Sequence, residues 1–279
     1  MLKEPDLDEL KAAFADYTIH EMIGRGGMGF VYRASRNSDS MTVALKVLPK
    51  ELGADPNFAE RFDREGKTLS HLKHPNIVAI HDYGKCDPFF YIAMEYIDGL
   101  NLRQAMAPER FTPDQALEMV PGLCSALTYA HQQGVLHRNI KPENILLDAE
   151  GKVKIVDFGI SKMVGDQGPQ LTVTGAQLGT PSYMAPEQIE RSSNIDHRAD
   201  IYSLGVVLYE LLTDGLPIGR FAPPSESAPV HPDIDEIVFR ALEKDRLRRQ
   251  QTAEEIQAEL RHAGNSPRPQ PQSTKLSTP

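Results

Sequence analysis

A lysine stands in the middle of an apolar strand. In Val43-Ala44-Leu45-Lys46-Val47-Leu48, alternation puts Ala44, Lys46 and Leu48 on one face. A buried ammonium needs an anionic partner, because burial strips its water. A carboxylate is equally out of place nearby. Phe58, Phe62, Glu65, Leu69 and Leu72 recur at three- and four-residue spacing, so residues 57–72 read as a helix with Glu65 on its apolar face. Opposite charges on two facing apolar surfaces predict an ion pair between Lys46 and Glu65. The alternative is two snorkelling surface side chains.

The rest of the chain divides by periodicity. Short apolar runs at 17–23, 30–34, 41–48, 77–83 and 89–95 predict strands, punctuated by turns such as Asn37-Ser38-Asp39. Beyond them the pattern is helical. Thr112 is a predicted N-cap, with Pro113 at the first helical position and Gln115 closing a capping box. That helix should run to about residue 133 and stop at Gly134. A hairpin is predicted from 145–147 and 153–156, then helices near 201–212, 234–243 and 252–262. The segment 265–279 has four prolines and no aromatic residue, and reads as a disordered linker. No internal repeat is visible.

Composition excludes some functions. The chain has 279 residues, 40% apolar and 25% charged, enough for a substantial core. A net charge of −9 argues against nucleic acid or a polybasic membrane contact as the main partner. Cys86 and Cys124 form no CxxC pair, so neither zinc nor a disulfide framework is indicated, and a reducing, cytoplasmic setting fits. Residues 1–10 lack the apolar core of a signal peptide. The apolar stretch 201–212 is broken by Ser203, Gly205 and Glu210, and reads as a buried core helix.

Gly24-Arg25-Gly26-Gly27-Met28-Gly29 fits G-x-G-x-x-G. A dinucleotide site needs a helix directly after such glycines. Here residues 30–34 read as a strand, so the glycines form a hairpin tip, where backbone N–H groups can approach phosphate oxygens. A flexible surface hairpin is the alternative. His137-Arg138-Asn139-Ile140-Lys141-Pro142-Glu143-Asn144 follows later, then Asp157-Phe158-Gly159 thirteen residues after Asn144, then Ala185-Pro186-Glu187.

In order and spacing, these motifs with Val43-Ala44-Leu45-Lys46 resemble the eukaryotic-like serine/threonine protein kinases, in particular their bacterial branch. The resemblance covers residues 17–262 and implies the α+β, two-lobed protein kinase fold. Residues 1–16 would be an N-terminal extension, 17–97 a β-rich N-lobe and 98–264 a mainly helical C-lobe. The implied ligands are ATP and Mg²⁺, and the implied partner is a protein with a Ser or Thr acceptor. Any membrane attachment would come through a region beyond residue 279.

The resemblance also assigns roles. Lys46 would contact the α and β phosphates, held by Glu65. Gly24, Gly26 and Gly29 would cover the phosphates. Val31, Ala44 and Leu146 would sandwich the adenine, or simply pack the core. Met94 would be the gatekeeper, with the hinge at Glu95 to Ile97. Asn144 and Asp157 would hold Mg²⁺, and Lys141 would steady the transferring phosphoryl group. Leu69, Ile80, His137 and Phe158 would stack between the lobes. Residues 157–187 would be the activation segment. Thr172 and Thr174 are its phosphorylation candidates, and Arg138 would receive the phosphate. Thr180 would position the acceptor. Asp200 would brace the catalytic loop, and Glu187 would pair with Arg249. A small-molecule kinase of related fold is the remote rival, and Gly179-Thr180 with Ala185-Pro186-Glu187 argues against it.

One position breaks the pattern. The family has aspartate where this chain has Asn139. A neutral amide cannot take the substrate proton, although its oxygen can orient a hydroxyl. General-base catalysis is worth about 10²–10⁴-fold, or roughly 3–5 kcal/mol. Impaired turnover with retained ATP binding is therefore expected. A native weak kinase or pseudokinase and a substituted active kinase both fit, because the other catalytic groups are intact. Residues 213–233, with five prolines, are also shorter than the family's usual helical insert.

Overall fold

The structure is a computed structural model describing residues 4–26, 28–107, 111–159, 181–192 and 194–265. A five-stranded antiparallel sheet forms the first lobe, in the order β1-β2-β3-β5-β4. Its strands are β1 (Tyr17–Gly26), β2 (Gly29–Arg36), β3 (Thr42–Val47), β4 (Ile80–Cys86) and β5 (Phe89–Glu95).

Strands β3 and β5 are buried along nearly their whole length, because both faces of the sheet are covered. Helix α2 (Phe58–Ser70) supplies Phe58, Phe62 and Leu69 to the core that holds Ala44, Leu48, Ile92 and Met94. Helix α1 (Leu7–Ala13) covers the other face. Leu10 and Phe14 are fully buried there with Val43, Leu45, Phe89 and Tyr91. Each contributes roughly 1.5–3 kcal/mol of burial. A Glu9–Lys50 ion pair adds a clasp at the edge. The sequence periodicity did not predict α1. Its N-cap, Asp6, accepts from the amides of Asp8 and Glu9.

In the second lobe, β6 (Gly99–Asn101), β7 (Ile145–Asp148) and β8 (Val153–Ile155) make a small sheet beneath the first. Helix α3 (Leu102–Met106) follows β6. Helix α4 (Pro113–Gln132) carries the predicted capping box between Thr112 and Gln115. Then come α5 (Pro186–Ile189), α6 (Arg198–Thr213), α7 (Pro224–Ser227), α8 (Asp233–Ala241) and α9 (Ala253–Asn265). Helix α6 is buried from Ala199 to Leu212 apart from Tyr202, as expected of a core helix. Its Gly205 lets α8 approach closely: a Cβ there would lie 2.7 Å from the Ala241 Cβ. No helix among the described residues is long and apolar enough to cross a membrane.

Both cysteines are free. Cys124 lies wholly inside α4, and burial pushes its thiol up to about 12.

Candidate active site

The cleft between the lobes gathers the residues singled out in the sequence. Register places Gly26 opposite Gly29, Val31 opposite Lys46 and Ala44 opposite Met94. The glycine turn is a hairpin tip, as predicted. Gly29 has φ 125°, and a Cβ there would lie 2.1 Å from the Val47 carbonyl oxygen, so only glycine fits. Ala44 and Met94 belong to the main apolar core, and Val31, Ile97 and Leu146 are partly buried against it.

The Glu95 N–H donates to the Ala79 carbonyl at 2.8 Å. Its carboxylate pairs with Lys154 of β8 at 2.9 Å and so ties the end of β5 to the lower lobe. Beside this tie, Ile155 N–H donates to the Asn76 carbonyl and Val78 N–H to the Ile155 carbonyl, at 2.9 and 3.0 Å.

Lys46 is buried, and its ammonium donates to Asp157 Oδ2 at 2.6 Å. This corrects the expected Lys46–Glu65 pair. Glu65 is buried on α2 as predicted, but its Oε1 meets the Arg64 guanidinium at 3.1 Å. The ammonium takes its short contact with the carboxylate whose backbone delivers it. Asp157 sits at φ 66° and reaches across to β3, while Arg64 offsets the charge of Glu65.

The loop 137–144 is held almost entirely by side chains. Asp200, at the start of α6, accepts from the amides of His137 and Arg138 at 2.9 and 2.7 Å, and from His131 Nε2 at 2.9 Å. Burial alone would raise the Asp200 carboxyl. The hydrogen bond and charge of His131 and the His137 amide outweigh it and hold the group below its ordinary value. His137 is fully buried, and burial lowers its imidazole. Its Nδ1 accepts the Asn139 N–H at 3.1 Å, so Nε2 carries the proton and donates to the Val156 carbonyl at 2.7 Å. The ring meets Phe158 edge-on at 4.7 Å. Phe158, Leu69, Ile80 and Met94 line one cavity together with Asp157, so of the predicted inter-lobe stack the His137–Phe158 contact is formed and Leu69 and Ile80 face the same space.

Asn144 is buried, and its Nδ2 donates to the Asn139 carbonyl at 2.8 Å. The amide nitrogen is spent, which leaves Oδ1 as the ligand atom. Asp157 supplies carboxylate oxygens, so the donor set is all oxygen and suits a hard cation such as Mg²⁺. Lys141 lies in the extended backbone just before the turn Pro142–Asn144. Thr172, Thr174 and Thr180 fall outside the described residues.

Beneath the loop, Arg249 is fully buried and forms the predicted ion pair with Glu187, which is bidentate, at 2.7 and 2.8 Å. Sequence reasoning missed a second network. Arg103 Nη1 donates to Glu210 Oε1 at 2.7 Å and Nε to Glu143 at 3.3 Å, while the Tyr183 hydroxyl bonds both Arg103 and Glu210. Glu210 interrupting an apolar helix was the available signal.

Residues 17–262 match the protein kinase domain family. The chain is 39% identical to the serine/threonine-protein kinase PknB of Mycobacterium tuberculosis, over 91% of this chain and 44% of PknB. It is 39% identical to the serine/threonine-protein kinase pkn3 of Myxococcus xanthus, over 93% of this chain and 52% of that protein. It therefore spans about half the length of these curated relatives. Among solved structures, the Mycobacterium tuberculosis PknI kinase domain superposes with a TM-score of 0.73 at 32% identity, over 90% of this chain and 97% of that one. With its motifs in register on a two-lobed scaffold beside bacterial serine/threonine kinases, the chain belongs to the protein kinase domain family.

Proposed function

We propose that this chain binds Mg-ATP in the cleft and transfers its γ-phosphoryl group to serine or threonine in proteins, at a rate limited by Asn139. The carrying observation is the 2.6 Å contact between Lys46 and Asp157 across the cleft, beside Asn144 pinned on the Asn139 backbone. Lys46 and the backbone of Gly24, Gly26 and Gly29 would hold phosphates. Val31, Ala44, Met94, Leu146 and the hinge from Glu95 to Ile97 would enclose the adenine. Asn144 and Asp157 would hold Mg²⁺, which when bound supplies charge neutralisation of the phosphates. Lys141 would lie against the transferring group. Asn139 can orient the acceptor hydroxyl through its amide oxygen but cannot take its proton. Phosphoryl transfer leans on positioning and electrostatics, so some turnover should survive. Thr172 and Thr174 are proposed phosphorylation sites read by Arg138, and Thr180 a proposed acceptor-positioning residue.

A second reading follows from Asn139 itself: a nucleotide-binding pseudokinase that acts as scaffold or allosteric partner. Phosphate transfer to a generic serine/threonine substrate separates the two. The Asn139→Asp variant should exceed the parent by about 10²–10⁴-fold. Nil transfer in both forms with Mg-ATP binding intact would favour the scaffold, and no Mg-ATP binding would sink both readings.

A further inference from the structure

We infer that Gln188 is a positioning residue for position 139, a role that rests on the kinase reading above. Arg138, the residue before Asn139, has φ 66°, a left-handed conformation that L side chains rarely adopt. Such a conformation persists when neighbouring groups over-determine it. Here both backbone polar groups of Arg138 are clamped by side chains from distant elements. Its N–H donates to Asp200 Oδ1 at 2.7 Å, and its carbonyl accepts from Gln188 Nε2 at 2.8 Å. That carbonyl belongs to the peptide plane whose nitrogen is the Asn139 amide, which in turn donates to His137 Nδ1 at 3.1 Å. Freeing the carbonyl lets this plane rotate, and rotation swings the Cα–Cβ bond of Asn139.

The orientation of the Gln188 amide is determined by its partners. Oε1 accepts the Ala185 N–H at 3.0 Å, so Nε2 must face the Arg138 carbonyl. The arm is also rigidly based. The preceding residue, Glu187, is fixed by its bidentate pair with Arg249, and the Gln188 N–H donates to the Ala185 carbonyl at 2.9 Å. Gln188 thus joins α5 to the plane that aims residue 139, while Asp200 holds the other side from α6. Glutamine is suited to both tasks because it accepts and donates from one planar group.

A plain helix cap would need only the bond to Ala185, and this distinction makes the test. Gln188→Glu keeps an acceptor for the Ala185 N–H but has no donor for the Arg138 carbonyl. Gln188→Met loses both. Each is compared with its parent in the chain as it stands and in the Asn139→Asp background. For Gln188→Glu the expected result is a fall in kcat of about 5- to 10-fold, the size of one hydrogen bond, with the Mg-ATP Kd unchanged. The backbone amide resonance of Asn139 should move while the Ala185 N–H keeps its protection from hydrogen exchange through the retained acceptor, a readout that needs no turnover. An unmoved Asn139 amide, or an unchanged kcat in an active background, would overturn the inference. Absence of transfer in both parents would instead count against the kinase reading, and the amide shift would still decide the role of Gln188.

Discussion

Lys46 and Asp157 lie 111 positions apart in sequence and 2.6 Å apart in space, one from each lobe. Their exposures differ: the lysine side chain is 6% exposed and the aspartate 24%. Removing either should abolish Mg-ATP binding, but the stability costs should be unequal. Asp157→Ala leaves a buried ammonium without its contact, at a cost of about 3–5 kcal/mol. Lys46→Met leaves a carboxylate that water can reach and should cost about 1 kcal/mol. Urea denaturation alongside nucleotide titration checks both. Equal costs would contradict the asymmetry.

Arg249 has no exposed side-chain surface and bonds Glu187 together with the carbonyls of Arg198, Glu243 and Lys244. Arg249→Met should therefore destabilise by about 3–5 kcal/mol, with Glu187→Gln costing less. Calorimetric unfolding of the two variants tests the order.

Gly29 combines φ 125° with the approach of the Val47 carbonyl. Gly29→Ala should cost about 1–3 kcal/mol and weaken nucleotide affinity by distorting the hairpin tip. Gly24→Ala is the control: a Cβ there meets Val31 at an ordinary 3.5 Å. Similar losses for the two would refute the backbone argument.

Acid should destabilise the protein in two stages. His137 is buried with its imidazole below the ordinary 6.5, so between its folded value and 6.5 the unfolded chain binds more protons. Its contribution is complete above 6.5 and is lost as pH falls below that. Asp200 is held below the ordinary 3.8, so its share is intact above 3.8 and is lost on further acidification. Melting temperature against pH should drop first below about 6.5 and again below about 4. A flat profile between about pH 7 and 5 would contradict the first stage.

The sequence revealed what local pattern controls. The capping box at Thr112 and Gln115 was readable because its partners are three residues apart. The buried place of Lys46 followed from strand alternation. Its partner did not: an ammonium announces that it needs an anion, without saying whether Glu65 or Asp157 will reach it. The Arg103–Glu210 network failed for the same reason, since 107 positions separate its members. Helix α1 spans two turns, too short for periodicity to register. It is stabilised by rings that arrive much later, Phe89 and Tyr91 among them.

The ties at Asn76, Val78 and Glu95 run along one margin of the cleft, against β8. Ties concentrated along one margin make it the natural spine for a swing, with the Lys46–Asp157 contact as the catch that holds the covers together across the cleft. Strand order puts β1 and β2 at the side of the sheet away from β5 and β4. A swing there would have the longest radius, so a few degrees at the spine would become the widest travel at the glycine tip, where the proposed triphosphate would enter and leave.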